Sequence, residues 1–309
     1  MKKIYSFSMI ILIIFLLFGC GNQQNLISNE TESLTEYDEA HVSSDEDVLY
    51  EQSVQEEGNA NEYKISTVDY SDLFHGLDGC AVIYDFSINE YFVYNEEIAN
   101  QQYSPYSTFK IVSTLLGLHN CVIMDENSKM NYDETIYPIE IWNDNLTLDE
   151  AFETSCIWYF KQVIDAVGMN KTQLELNNLQ YGNCDVSEWN GSGINPMKEL
   201  NGFWLGSSLK ISPMEQVQVM KKIFGNDSIY NETEISILQN VMLYDEVNDY
   251  LIYGKTGTNR SEEGWYVGIV ENEQKKYCFA IYLSSQEPTH IATGDMAREI
   301  VKCIFENMH

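Results

Sequence analysis

Strand-forming runs occupy both ends of the folded part of this chain and helices its middle, an order that restricts the fold to a mixed α and β architecture. Near the start, Gly79 to Tyr84 and Tyr91 to Tyr94 are rich in β-forming residues and are joined by the turn-prone Ser87-Ile88-Asn89-Glu90, the pattern of a hairpin. Near the end, Tyr250 to Thr258, Gly264 to Glu271 and Lys276 to Ser284 read as three strands, and Thr293 to Met308 as a closing helix. From Asp149 to about Ile223 the pattern is helical, broken by Gly- and Asn-rich loops. No internal repeat is present.

The chain has 309 residues, 44% of them apolar, enough for a core of ordinary size. Against 48 acidic side chains stand only 17 basic ones, a net charge of -31 that repels a phosphate backbone and excludes nucleic acid as a partner. Anionic lipid surfaces are disfavoured for the same reason unless a covalent anchor holds the body there. The first residues supply a candidate: Lys2 and Lys3 precede an apolar stretch, Met9 to Phe18, too short for a comfortable transmembrane helix. Leu17-Phe18-Gly19-Cys20-Gly21 resembles a bacterial lipobox, in which Cys20 is diacylated and becomes the new N-terminus. Residues 1–20 are therefore expected to be a lipoprotein signal, with membrane contact only through lipidated Cys20 and the body on the outer face of the cell membrane. An uncleaved signal anchor is the alternative and also exports the body. From Gly21 to about Ala60 there are eleven acidic residues and no Lys or Arg, so 21–62 read as a solvated acidic linker and 63–309 as the folded domain.

Export makes disulfides possible among the cysteines at 80, 121, 156, 184, 278 and 303, with the pairing open. No CxxC, HxH or HExxH spacing occurs, and no metal site is expected. Cys278 and Cys303 lie in apolar patterns and read as core thiols.

Ser107-Thr108-Phe109-Lys110 places a hydroxyl and an amine three residues apart at a helix start that Pro105 prepares, so both lie on one face. A serine hydroxyl is a weak nucleophile unaided, and a neighbouring amine, or a group built on it, can take its proton. The helix N-terminus favours the negative charge that develops. By itself this spacing arises about once by chance in a chain of such length, and Ser207-Ser208-Leu209-Lys210 satisfies it too. An ordered set of motifs follows the first copy: Ser155-Cys156-Ile157, Tyr181-Gly182-Asn183, and Lys255-Thr256-Gly257-Thr258. Phe203-Trp204-Leu205, Ser208 to Pro213 and Gly264-Trp265-Tyr266-Val267-Gly268 accompany them.

On these residues, from about Asp78 to Phe305, the chain resembles the class D β-lactamases and the related sensor domains of β-lactam-responsive membrane receptors. The resemblance implies an α+β fold, an antiparallel sheet built from both termini with a helical domain packed on it and a site in the cleft between. Ser107 would be the nucleophile acylated by a β-lactam. Lys110 would carry a CO₂-derived carbamate serving as general base, with no metal. Ser155 would pass a proton to the leaving nitrogen, and Lys255 would position it and attract the substrate carboxylate. Ile157, Phe160, Trp204 and Leu205 match the apolar pocket around the lysine, with the Trp204 indole N–H able to donate to the carbamate. The oxyanion hole would be the backbone N–H groups of Ser107 and Thr258. Thr256 and Thr258 would line the substrate strand, with Gly257 leaving room for close approach. Tyr181-Gly182-Asn183 reads as a loop that shapes the cleft wall.

The chain departs from that pattern in a long stretch from Cys184 to Gly202, in Gly206 where relatives commonly carry an acidic residue, and in Cys156 beside the proton shuttle. Arg298, with Arg260 as a second candidate, is the arginine available to grip a substrate carboxylate. Three further readings compete with hydrolysis: a β-lactam sensor, which usually follows a multi-helix membrane protease region not seen before Tyr63; a penicillin-binding transpeptidase or carboxypeptidase, whose middle motif is normally SxN; and a non-catalytic lipoprotein, expected to have lost Ser107, Lys110 or Lys255. The sequence is silent on oligomeric state.

Overall fold

Strand pairing joins the early and late parts of the folded region. The structure, a computed structural model, describes residues 63–285 and 291–308. The signal, the Cys20 anchor and the 21–62 linker lie outside the described residues. In chain order come β1 (Lys64–Thr67), β2 (Asp78–Asp85), β3 (Glu90–Tyr94) and the short α1 (Glu96–Ala99). Then follow α2 (Lys110–His119), α3 (Leu148–Glu153), α4 (Ile157–Val167), α5 (Met169–Leu179), α6 (Pro213–Phe224) and α7 (Glu232–Met242). The chain returns to strand in β4 (Leu243–Val247), β5 (Tyr250–Asn259), β6 (Glu263–Glu271) and β7 (Lys276–Ser284), and closes with α8 (Gly294–Glu306).

The seven strands lie in the order β1-β3-β2-β7-β6-β5-β4. All neighbours are antiparallel except β1 and β3. The seam is β2 against β7, from Asp78 opposite Ser284 to Asp85 opposite Tyr277. This is the α+β sheet from both termini that the resemblance implies.

Alternation along the central strands sends side chains to two separate cores. Val82, Trp265, Val267, Cys278 and Ala280 point into the larger one, under α2, α4, α6 and α7. Ala81, Ile83, Tyr266, Phe279 and Ile281 point into the smaller one, under α8. Central strands buried on both faces explain the near-continuous apolar runs. The edge strands β1 and β4 are largely exposed and polar in pattern, so the sequence reading passes over them. It also misses α7, whose Asn231 and Glu234 form a capping box legible in the sequence. The closing helix starts as expected, with Thr293 capping the Met296 N–H.

All six described cysteines are free. Cys278 is a core thiol as expected, whereas Cys303 is only half-buried, because it sits at the side of α8 and not on its packed face.

The helix α6 lies against β2 and β7, and its start is fixed by a reciprocal cap: Ser212 Oγ accepts the Glu215 N–H at 3.1 Å while Glu215 accepts the Ser212 N–H at 2.8 Å. Pro213 at the first helical position reinforces it. Replacement of Ser212 by alanine is expected to cost about 1–2 kcal/mol, seen in urea as a lower midpoint with an unchanged slope.

Candidate active site

The nucleophile candidate sits in a single 3-10 turn, Tyr106–Phe109, that runs into α2. In a 3-10 turn the side chains at i and i+3 eclipse. Ser107 therefore stands over Lys110, and Ser107 Oγ and Lys110 Nζ meet in a hydrogen bond of 2.9 Å. The second Ser-x-x-Lys copy builds no such pair. Its segment is not helical; Ser207 Oγ donates to Glu188 at 2.5 Å, and the Lys210 backbone N–H donates to Asn183.

Lys110 is wholly buried at the start of α2. The ring of Phe160, on α4, lies 5.5 Å from its amine. Trp204 packs its indole against Phe109 at 5.4 Å. Desolvation, joined by repulsion from Lys255, holds the Lys110 pKa well below the usual lysine range, which favours the neutral amine. Ile157 and Leu205, half-buried, pack against the same core. Cys156 is buried at the N-cap of α4, and burial raises its thiol to about 11, so it stays neutral beside Lys110.

Ser155 lies in the bend between α3 and α4 with a left-handed backbone, φ 58°. Lys255, on β5, is nearly fully buried, its amine 5.6 Å from the ring of Phe152. Desolvation brings Lys255 down to about 8 against the pull of Asp295, with Arg298 adding to the depression. Phe152 was not anticipated, and nothing distinguishes it in the sequence from any apolar helix residue.

The pairing of β4 with β5 ends at Leu243 opposite Tyr253, so from Gly254 onward that edge of β5 carries no strand partner among the described residues. Gly257 brings this edge against the nucleophile's turn: a Cβ there would stand 3.2 Å from the Pro105 carbonyl and 3.3 Å from the Thr108 methyl. The room Gly257 leaves is thus taken up by the protein's own turn. Thr256 and Thr258 correct the expectation in part. Strand alternation turns both side chains toward α8; the Thr258 hydroxyl accepts the Gly294 N–H at 3.0 Å, and Thr256 packs beside Gly294. Thr258 can offer the free edge only backbone, whereas Thr256 also lines the cavity beside Lys255 and Arg298.

Arg298 lines a cavity of 340 Å³ with Lys255, Thr256, Asp149 and Tyr244. Its guanidinium lies over the Tyr244 ring at 4.1 Å and pairs with Asp295 at 3.0 Å. Arg260 is exposed in the β5–β6 turn, near Tyr106.

Tyr181-Gly182-Asn183 is a clamp behind the site. Asn183 accepts the Lys210 N–H at 2.9 Å and donates to the Ser208 carbonyl at 2.9 Å. Gln216 donates to both the Tyr181 hydroxyl and Thr108, tying α6 to the nucleophile's turn. The long stretch after the clamp is pinned by Trp189, stacked on Phe203 at 5.2 Å and donating to Asp165 at 3.1 Å.

The penicillin binding protein transpeptidase domain model matches residues 79–306, most of the chain. The chain belongs to that family, in its class D β-lactamase group. The probable β-lactamase YbxI of Bacillus subtilis is 34% identical over 70% of this chain and 78% of its own length. A crystal structure of a class D β-lactamase from Bacillus subtilis superposes with a TM-score of 0.68 at 32% identity, covering 77% of this chain and 94% of that one. The regulatory protein BlaR1 of Staphylococcus aureus is also 34% identical, over 78% of this chain. The chain spans only 40% of BlaR1.

Gly182 has φ 55°, and a Cβ there would lie 1.9 Å from the Lys210 carbonyl. Gly182→Ala is accordingly expected to destabilise the fold by about 3 kcal/mol or more, measured by urea unfolding; a loss under about 1 kcal/mol would show that the clamp is not rigid.

Proposed function

We propose that the chain is a β-lactam hydrolase working through an acyl-enzyme on Ser107, and that it confers β-lactam resistance. The observation that carries this is the buried, neutral-favouring Lys110 amine hydrogen-bonded to Ser107 Oγ. Neutrality is also what an amine needs in order to react with CO₂, and the pocket fits the product. The indole N–H of Trp204 is buried without a hydrogen-bond partner among the described residues, a donor available to an added anion. A carbamate on Lys110, held by Trp204 and walled by Phe160, Ile157 and Leu205, would supply an anionic base stronger in its placement than the bare amine.

The remaining steps belong to the side chains and backbone already described. Ser107 Oγ attacks the lactam carbonyl as its proton leaves toward the Lys110 terminus. The Ser107 and Thr258 backbone N–H groups receive the developing oxyanion, a contribution realised only in the transition state. Ser155 delivers a proton to the ring nitrogen as the C–N bond breaks. Lys255, and Arg298 from the adjoining cavity, draw the substrate carboxylate to the open edge of β5. Water then attacks the ester, its proton leaving toward Lys110 and Ser107 Oγ departing reprotonated. The reading includes export and a tether through lipidated Cys20 on the outer face of the membrane, where such compounds arrive.

The likeness to BlaR1 supports a second reading, a sensor that acylates and stops. One experiment separates them: excess penicillin, ring opening followed over many turnovers with and without bicarbonate, and intact mass. Turnover enhanced by bicarbonate supports the hydrolase; a stable Ser107 adduct supports the sensor; no reaction refutes both.

Two variants test the chemistry. Lys110→Ala should lose turnover by on the order of a hundredfold to ten-thousandfold, since a positioned base contributes that much; activity within a few fold of wild type would sink the assignment. The Lys255 cation exists only below its pKa of about 8, so kcat/KM should fall as pH rises through that value. Lys255→Arg, charged throughout, should lose that alkaline limb whatever its plateau.

A further inference from the structure

Beside the cleft, one carboxylate gathers three donors from three separate segments. Glu263, at the start of β6, accepts the Tyr106 hydroxyl at 2.8 Å and the Asn259 side-chain amide at 2.8 Å on one oxygen. Its other oxygen accepts the Tyr282 hydroxyl at 2.8 Å. Tyr106 immediately precedes Ser107, and Asn259 immediately follows Thr258. Glu263 thus holds the chain neighbours of both residues whose amides form the oxyanion hole in the function proposed above.

The Tyr106 backbone needs holding. Its φ of 47° lies in the left-handed region, which an aromatic residue seldom adopts. Two bonds keep it there: its N–H donates to the Trp204 carbonyl at 3.0 Å, and its hydroxyl to Glu263. Burial, with the Glu263 charge, pushes the Tyr106 phenol above its ordinary pKa, so it remains a donor. The anchor itself is firm. Tyr282, on β7, stacks on Tyr103 at 4.0 Å, and Tyr103 is bridged through its backbone to Ile211. Charged acceptors make hydrogen bonds roughly twice as strong as neutral ones, and Glu263 can serve all three donors where a glutamine would present an NH₂ to one of them. Across from Tyr106, Gly206 leaves open the space a side chain would fill; a Cβ there would stand 3.7 Å from the phenol oxygen.

We propose that Glu263 is a positioning residue for acylation of Ser107, fixing the gap between the Ser107 and Thr258 amides through Tyr106 and Asn259. It touches no reacting atom; it sets where two donors stand. Misplaced donors cost transition-state binding while substrate binding elsewhere in the cleft persists.

The test compares wild type with Glu263→Ala, Tyr106→Phe and the double variant in the full chain. Two quantities are read: the first-order acylation rate of Ser107 by a fluorescent penicillin together with its Ks, and the affinity of an aryl boronic acid, whose tetrahedral Ser107 adduct puts an oxygen in the oxyanion hole. Glu263→Ala should slow acylation on the order of tenfold to a hundredfold, weaken the boronic acid by a similar factor, and leave Ks within about threefold. Tyr106→Phe, which retains the ring and its packing, should lose a smaller share of both. The double variant should be no worse than Glu263→Ala alone, because both remove one connection. Acylation within threefold of wild type in both single variants, additive losses in the double variant, or a change confined to Ks would overturn the proposal. If Glu263→Ala does not fold, Tyr106→Phe together with Asn259→Ala decides it by the same matched losses. Wild type that penicillin does not acylate overturns the hydrolase and sensor readings along with this one; acylated wild type with unaffected variants overturns this one alone.

Discussion

An amine removed from water must find a counter-charge or give up its proton. Lys110 is in that position: wholly buried at the head of α2, with a phenyl ring near its amine, a second lysine close enough to repel it, and the Ser107 hydroxyl as its hydrogen-bond partner. The chemistry of the site is therefore a result of how the core packs. The helical layer that buries Phe160 and Trp204 also keeps Lys110 dry, and the 3-10 turn at the head of α2 puts the serine directly over it. Lys255 stands under the same constraint on the sheet side, where Asp295 opposes the loss of its charge.

Much of this was legible in the sequence, and the gaps have physical causes. Spacing could not choose between Ser107-Lys110 and Ser207-Lys210, because three residues bring two side chains together only where the backbone is helical, and only the first copy is. The central strands announced themselves through apolar runs buried on both faces; β1 and β4, exposed edges, gave no such signal. The outward turn of Thr256 and Thr258 follows from the period of two once Lys255 is placed inward, a step that motif matching does not take. Glu263 was invisible, since its donors at 106, 259 and 282 meet only in the folded chain.

Three further features shape the surroundings of the cleft. Gly206 is small, and the large Tyr106 stands across from it with its hydroxyl turned to Glu263. The long stretch after Asn183 is tied down by Trp189, whose stacking on Phe203 extends the aromatic wall behind Lys110. Cys156 fills its place as a small neutral group.

The seam between β2 and β7 has a consequence for the life of the chain before it folds. Asp78 must wait for Ser284, so the sheet cannot close until β7 has been synthesised. Contacts of such sequence separation form slowly, because loop closure has to precede any gain from pairing. The hairpin of β2 and β3 can assemble early and would present β2 as an unpaired edge, open to the wrong partner. A nascent chain of this topology spends its vulnerable time with its Ser107 and Lys255 segments made and β7 missing, which is when a chaperone that shields exposed strands would matter most.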